Sequence, residues 1–295
     1  MNDRFSQFHP IVNLTFYVAV IAFTMFLMNP VCLGISLCCA LANAIYLNGV
    51  KTVRFGIRIV LPTVILVSVI NPIVNHQGVT ILEYLPWNNP LTLESILYGI
   101  ASSVMVSAVV FWFSSVNTVM TSDKFIYLFG RIIPSLSLVL SMALRFVPRF
   151  LTEFRQIRAA QKQLSVAEHS GFFSSLRQAA RDLSTMLSYA LENSIETADS
   201  MKARGYGLKG RTSYAKYRFY KQDVVFFSCL LLLFVLLLIL SLSGAVRFRY
   251  FPSLKGDLFT VNAILFYVLY CLLMLTPLVL NIGEGIRWKR LRSKI

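Results

Sequence analysis

Arg204 lies between Ala203 and Gly205 where a long helix-forming run stops. A guanidinium at a helix end, followed by a glycine that can turn the chain, presents one planar cation to a groove on a partner. The same place carries Gly205-Tyr-Gly-Leu-Lys-Gly210, which fits the G-x-G-x-x-G spelling of a dinucleotide loop. Here it follows a helical pattern instead of a strand, opens no helix and lies in no βαβ unit, which argues against a dinucleotide loop. The chain has no G-x-x-x-x-G-K-[ST] loop and no H-E-x-x-H pair. Its five cysteines, Cys32, Cys38, Cys39, Cys229 and Cys271, all fall in apolar stretches, at no ligand spacing from His9, His76 or His169. They read as small hydrophobes. We expect no catalytic residue, no metal site and no cofactor held by this chain.

The elements that position Arg204 follow from composition. Of 295 residues, 56% are hydrophobic and only 14% charged, which describes an integral membrane protein. A spanning helix needs about 20 mostly apolar residues. The qualifying windows are 11–28, 31–48, 57–71, 94–116, 224–243 and 258–280, the third short and interrupted by Pro62. The fold class is therefore an all-α integral membrane protein of about six transmembrane helices. It divides into N-terminal spans (1–116), a polar segment (117–223), and C-terminal spans with a basic tail (224–295). The first span lacks a small-residue cleavage pattern and reads as retained.

The net charge of +15 reports topology before it reports any partner, and nucleic acid is not called for. Lys51, Arg54 and Arg58 mark the second loop as cytoplasmic, as Arg287, Lys289, Arg290, Arg292 and Lys294 mark the tail, while 75–89 has neither Lys nor Arg. Six spans with both termini in the cytoplasm satisfy this count. Arg247, Arg249 and Lys255 then fall outside, against the trend.

Within 117–223, the apolar stretch 125–147 is flanked or broken by Asp123, Lys124, Arg131 and Pro134. We expect a bent helix at the interface or under the bundle in preference to a crossing. A helix follows with Phe146, Phe150, Phe154, Ile157 and Leu164 on one face and Arg155, Arg158 and Lys162 on another. A second carries Leu176, Ala179, Leu183, Leu187, Leu191, Ile195, Ala198 and Met201 and stops at Gly205. Such a pair could lie on membrane lipid. Asp182, Glu192, Glu196 and Asp199 on the second helix favour docking to a protein instead. The spans hold almost no ionisable groups, which argues against a self-contained ion-coupled carrier. Small residues recur at helical spacing: Gly34, Cys38 and Ala42 in one span, Gly99, Ser103 and Ser107 in another. These rows suit packing within the chain or a seat for a second membrane subunit.

Several blocks together resemble the transmembrane T component (EcfT/CbiQ family) of energy-coupling factor transporters. They are His9-Pro10, Asn71-Pro-Ile-Val-Asn-His-Gln-Gly78, Thr92-Leu-Glu94 to Tyr98-Gly99, Leu128-Phe-Gly130, Leu144-Arg-Phe-Val-Pro148, Ala160-Gln161, and Ala198-Asp-Ser-Met-Lys-Ala-Arg-Gly-Tyr-Gly207 followed by Arg211-Thr212. The last is the specific one. The resemblance implies a multi-pass protein of a prokaryotic plasma membrane whose two coupling helices each end in an Ala-Arg-Gly type motif. Each motif docks on one of two cytoplasmic ABC ATPase subunits, which hold the ATP and Mg. It also implies a membrane S component that binds a vitamin or trace metal. The second motif is intact at Ala203, Arg204 and Gly205. The first departs from the pattern and reads Gln163-Leu164-Ser165, with Arg158 or Lys162 the nearest substitute cation. That departure implies asymmetric docking or a heterodimeric ATPase pair. The competing reading is a membrane anchor or scaffold whose basic helices bind lipid or a non-ATPase protein.

Overall fold

A computed structural model describes residues 3–84, 90–132, 134–164, 172–206, 217–256 and 258–292. The chain divides into two compact units, one formed by residues 1–122 with 217–295 and the other by Asp123–Lys216.

The first unit is a helical bundle. A short α1 (Arg4–Gln7) leads to α2 (Pro10–Phe26), α3 (Pro30–Asn48) and α4 (Val50–Phe55); a wider π turn (Gly56–Val60) continues into α5 (Leu61–Val74). A two-stranded antiparallel hairpin, β1 (Ile81–Tyr84) with β2 (Pro90–Thr92), precedes α6 (Leu93–Val119). After the second unit come α10 (Lys221–Leu242) and α11 (Val261–Arg292). The spans α3, α4–α5, α6, α10 and α11 are long and apolar enough to cross a membrane, and α2 is a shorter apolar helix. The all-α membrane class read from composition is the fold observed.

The third span differs from its expectation. It runs from Val50 to Val74, so Lys51, Arg54 and Arg58 lie in helix and not in a loop. Pro62 sits at the N-terminal end of α5, directly after the π turn. Leu61 N–H bonds the Gly56 carbonyl five residues back, and Pro62 lies in the first turn of α5, so the helix continues where sequence suggested a break. The last helix likewise runs through Arg292, beyond the predicted apolar window.

Polar side chains close the helix ends. Proline begins α2 and α3, and the preceding residue caps each: His9 Nδ1 accepts from Ile11 N–H at 3.3 Å, and Asn29 Oδ1 from Val31 N–H at 3.0 Å. Thr92 Oγ1 caps α6 by accepting from Ser95 N–H at 3.3 Å. Ser95 in turn donates to the Asn75 carbonyl at 2.6 Å, tying the loop after α5 to the start of α6.

At one end of the bundle, Phe5 N–H donates to Asn281 Oδ1 at 3.1 Å, Tyr46 OH donates to the Asn281 carbonyl at 3.1 Å, and Arg4 pairs with Glu284 at 3.6 Å. The chain re-enters this end from the second unit through Phe219, which stacks on His9 at 4.0 Å. Asp223 accepts from the backbone N–H of Tyr220 at 2.9 Å and of His9 at 3.4 Å. Both termini of the bundle and both junctions with residues 123–216 therefore share one end. The core between the ends is aromatic, with Phe5, Phe16, Tyr17, Trp112, Phe266 and Tyr270 fully buried. Trp112 Nε1 donates to Ser36 Oγ at 3.1 Å, and Ser36 also bonds Thr24 at 2.8 Å.

Gly99 lets α5 and α6 approach closely. A Cβ there would meet the Ser68 carbonyl oxygen at 3.0 Å and Asn71 Cβ at 3.2 Å. Gly99→Leu should lower stability by about 1–3 kcal/mol through overpacking, read as an earlier thermal transition in detergent. His9 supplies a pH prediction. Burial holds its imidazole below the ordinary value, partly offset by the Asp223 carboxylate. The folded state therefore prefers neutral His9, and stability should fall as pH drops through about 6.5, the unfolded value. His9→Gln should flatten that acid limb of a melting-temperature profile.

Candidate docking surface

The second unit contains α7 (Ser122–Ile132), α8 (Pro134–Leu164) and α9 (Phe172–Ala203). Stretch 125–147 becomes α7 and the first half of α8. One continuous helix then carries the chain into the basic stripe.

The two long helices meet through polar groups. Gln161 Nε2 donates to Thr185 Oγ1 at 2.9 Å, Gln178 Nε2 donates to Gln161 Oε1 at 3.3 Å and to Asp182 Oδ1 at 3.3 Å, and Asp182 is 2% exposed. On α8 the half-buried residues include Phe146, Phe150, Phe154 and Ile157 of the expected apolar face, continuing into Gln161, together with Ser141, Met142 and Glu153. On α9 the buried or half-buried residues are Ser174, Gln178, Asp182, Met186, Tyr189, Ala190, Asn193, Thr197 and Met201. The long apolar row predicted for this helix faces the other way, except for the half-buried Met201: Leu176, Leu183, Leu187, Leu191 and Ile195 are 56–66% exposed, and Ala179 and Ala198 are exposed. Sequence reading missed the polar row. Its spacing of three and four residues was legible, but an apolar stripe is the stronger cue for a buried face.

From Asp182 to Ala203, α9 rises about 30 Å along its axis, at about 1.5 Å per residue. It ends in a Schellman motif: Tyr206 N–H bonds the Met201 carbonyl at 3.0 Å, Gly205 N–H bonds the Lys202 carbonyl at 3.0 Å, and Gly205 has φ +77°. The left-handed position expected of Gly205 is present. Ala203 and Arg204 are exposed, and Arg204 makes no salt bridge to any described residue. Its cation also lies beside the partial negative charge of the helix C-terminus. Tyr206, 47% exposed, adds an aromatic ring to the tip that the motif alone did not single out.

The other positions are distributed as follows. Arg158 is exposed on α8, Lys162 lies one turn later, Gln163 is exposed, and Leu164 is the last residue of α8. Ser165 lies outside the described residues, as do Gly207, Gly210, Arg211 and Thr212. Gly99, Ser103 and Ser107 are buried in the bundle, and both serine hydroxyls donate to carbonyls of α6 itself. Gly34, Cys38 and Ala42 point outward, with open space beyond Gly34. No metal-ligating cluster occurs among the described residues.

An apolar bundle of helices long enough to cross a membrane, with a separate unit of long amphipathic helices, defines a multi-pass membrane protein. Residues 3–214 match the family model CbiQ, described as cobalt transport protein, and the chain belongs to that family. Over 109 residues it is 33% identical to the energy-coupling factor transporter transmembrane protein EcfT of Lactobacillus helveticus, covering 36% of this chain and 39% of that protein. It is 34% identical over 112 residues to the uncharacterized protein MG181 homolog of Mycoplasma pneumoniae, covering 37% of this chain and 26% of that one. A third relative, the uncharacterized protein MG181 of Mycoplasma genitalium, is 26% identical over 168 residues, covering 53% of this chain and 40% of its own length. The chain thus spans well under half the length of these curated relatives.

Forcing a side chain into the left-handed Gly205 position tests the tip. Gly205→Val should cost the helix end about 1–2 kcal/mol, seen as faster hydrogen exchange at the amides of residues 204–206, with the bundle's thermal transition unchanged.

Proposed function

We propose that this chain is the transmembrane coupling subunit of an energy-coupling factor type importer. It converts ATP-driven motion of two cytoplasmic ABC ATPase subunits into movement of a membrane S component that carries the vitamin or trace metal. The observation that carries the reading is the tip of α9: Arg204, exposed and with no salt bridge to any described residue, on a Schellman-closed end about 30 Å along the helix from Asp182.

A displacement imposed at the tip travels along a helix whose bending would break backbone hydrogen bonds, so it arrives at Gln161 and Asp182 as rotation about the crossing. A polar seam suits such a pivot, because hydrogen bonds between amides and hydroxyls can be exchanged with a small net change. The chain supplies leverage and holds no ATP, Mg or catalytic group of its own. The exposed leucine row of α9 is surface that another polypeptide or lipid must cover. In this reading the termini and residues 123–216 face the cytoplasm of a prokaryotic cell, the side on which the bundle carries Lys51, Arg54, Arg58, Arg287, Arg290 and Arg292. The first motif, at 163–165, docks differently from the second, and Arg158 stands exposed to serve it.

A specific observation also supports a lipid or scaffold anchor: Arg145, Arg149, Arg155 and Arg158 are all exposed along α8. The exposed Glu192, Glu196 and Asp199 on α9 oppose an anionic surface.

Co-purification with the candidate ABC ATPases in detergent separates the two. Wild type should capture them and stimulate their ATP hydrolysis, and Arg204→Glu should weaken capture by about 2–5 kcal/mol, as expected for a broken hydrogen-bonded charge pair. Equal capture by both chains would remove Arg204 as the anchor. Capture lost instead through neutralising the α8 arginines, with steep salt dependence, would favour the anchor.

A further inference from the structure

The three cations that run against the charge asymmetry of the bundle are brought together by a small hairpin. Arg249 N–H donates to the Lys255 carbonyl at 2.9 Å, and Lys255 N–H donates to the Arg249 carbonyl at 3.0 Å. Residues that exchange both bonds in this way stand directly opposite, with side chains on the same face. Exposure alternates along the preceding segment: Val246 is buried, Arg247 exposed, Phe248 half-buried, Arg249 exposed and Tyr250 buried. Arg247, Arg249 and Lys255 therefore share the outward face.

The inward face is fixed by aromatic packing. Tyr250 meets Phe248 at 4.9 Å and Tyr98 at 5.6 Å, and Phe251 meets Tyr98 at 5.1 Å. Asn29 Nδ2 donates to the Val246 carbonyl at 3.4 Å. Gly256 closes the hairpin where a Cβ would come within 2.6 Å of the Phe248 ring and 3.0 Å of the Arg247 carbonyl oxygen. The cations are thus mounted on a rigid base. Like charges directly opposite across a strand pair are destabilising, and the cationic face makes no salt bridge to any described residue. The nearest acidic residue in sequence, Asp257, lies outside the described residues.

The hairpin joins α10 to α11 at the end of the bundle opposite the termini, beside the α2–α3 turn and the start of α6. Apolar side chains surround it: Leu254 is 41% exposed, Phe259 80% and Val261 82%. Cations above exposed apolar groups at a helix entry are the composition of a lipid contact at the membrane interface. We propose that the outward face formed by Arg247, Arg249 and Lys255 binds the phosphodiester headgroup of an anionic phospholipid in the leaflet opposite the termini. Two guanidinium forks and one ammonium match the oxygens of a phosphate diester, and the anion relieves the repulsion across the bridge. This inference requires only that the chain spans a membrane, and stands apart from the coupling role.

The test uses the full chain in nanodiscs of phosphatidylcholine, alone or doped with phosphatidylglycerol. Wild type is compared with the combined variant Arg247→Gln, Arg249→Gln and Lys255→Gln. The readouts are thermal stabilisation by phosphatidylglycerol and the amount retained through a detergent wash, measured by mass spectrometry. Wild type should be stabilised by phosphatidylglycerol over phosphatidylcholine, and the variant should lose apparent affinity by about fivefold per charge removed, about a hundredfold in all. Since the terminal end of the bundle is also basic, the difference between the two chains isolates the hairpin. Equal phosphatidylglycerol retention by a folded variant would overturn the proposal, as would equal stabilisation of wild type by both lipids. If the combined variant does not fold, Lys255→Gln alone, which keeps both backbone bonds of the bridge, should show the single fivefold loss; no loss would overturn the proposal.

Discussion

Hydrocarbon cannot hydrogen-bond a peptide group, and most of this structure follows from that fact. An unsatisfied backbone group in the bilayer core costs several kcal/mol, so the apolar segments are helical and irregular backbone gathers at the bundle ends. Even the third span, which holds both Gly56 and Pro62, stays helical by widening into a π turn. The polar side chains that sequence composition makes scarce are spent where backbone groups would otherwise be left open. His9, Asn29 and Thr92 cap helix starts, Asn281 receives the Phe5 amide, and Asp223 accepts the amides of His9 and Tyr220.

The second unit inverts the usual partition. Its two long helices cross through Gln161, Gln178, Asp182 and Thr185, while the leucines of α9 face away. In a soluble domain that arrangement would waste apolar surface. Under the proposed coupling role, one helix has two separate jobs: a polar face against α8 and an apolar face left for a partner or lipid to cover. The Gly205 turn fixes where the helix ends and leaves Arg204 exposed there.

Much of this was legible beforehand because it depends on local chemistry. Apolar windows located the spans to within a few residues wherever proline or asparagine marked the start, as at Pro10 and Pro30. Gly205 was legible as a left-handed stop because a helix pattern ended on it beside a cation. The third span was misjudged, since Lys51, Arg54 and Arg58 look like a loop when the π turn that carries them into helix cannot be seen. The serine row in α6 left two readings open, and the buried hydroxyls of Ser103 and Ser107 bond their own helix. The outward row at Gly34 and Ala42 looks the same in sequence, yet it is exposed among the described residues.

By itself, the sequence determined the membrane class, most of the helical segments and the arginine-glycine tip, because each depends on residue type and on neighbours a few positions away. Tertiary structure alone decided which face of α9 is buried and that His9 meets Asp223 across more than two hundred residues. It also decided that Arg247, Arg249 and Lys255 stand on one surface. Those outcomes depend on long-range packing, which can bring a glutamine seam together and leave a leucine stripe outside, and which periodicity along one chain does not encode.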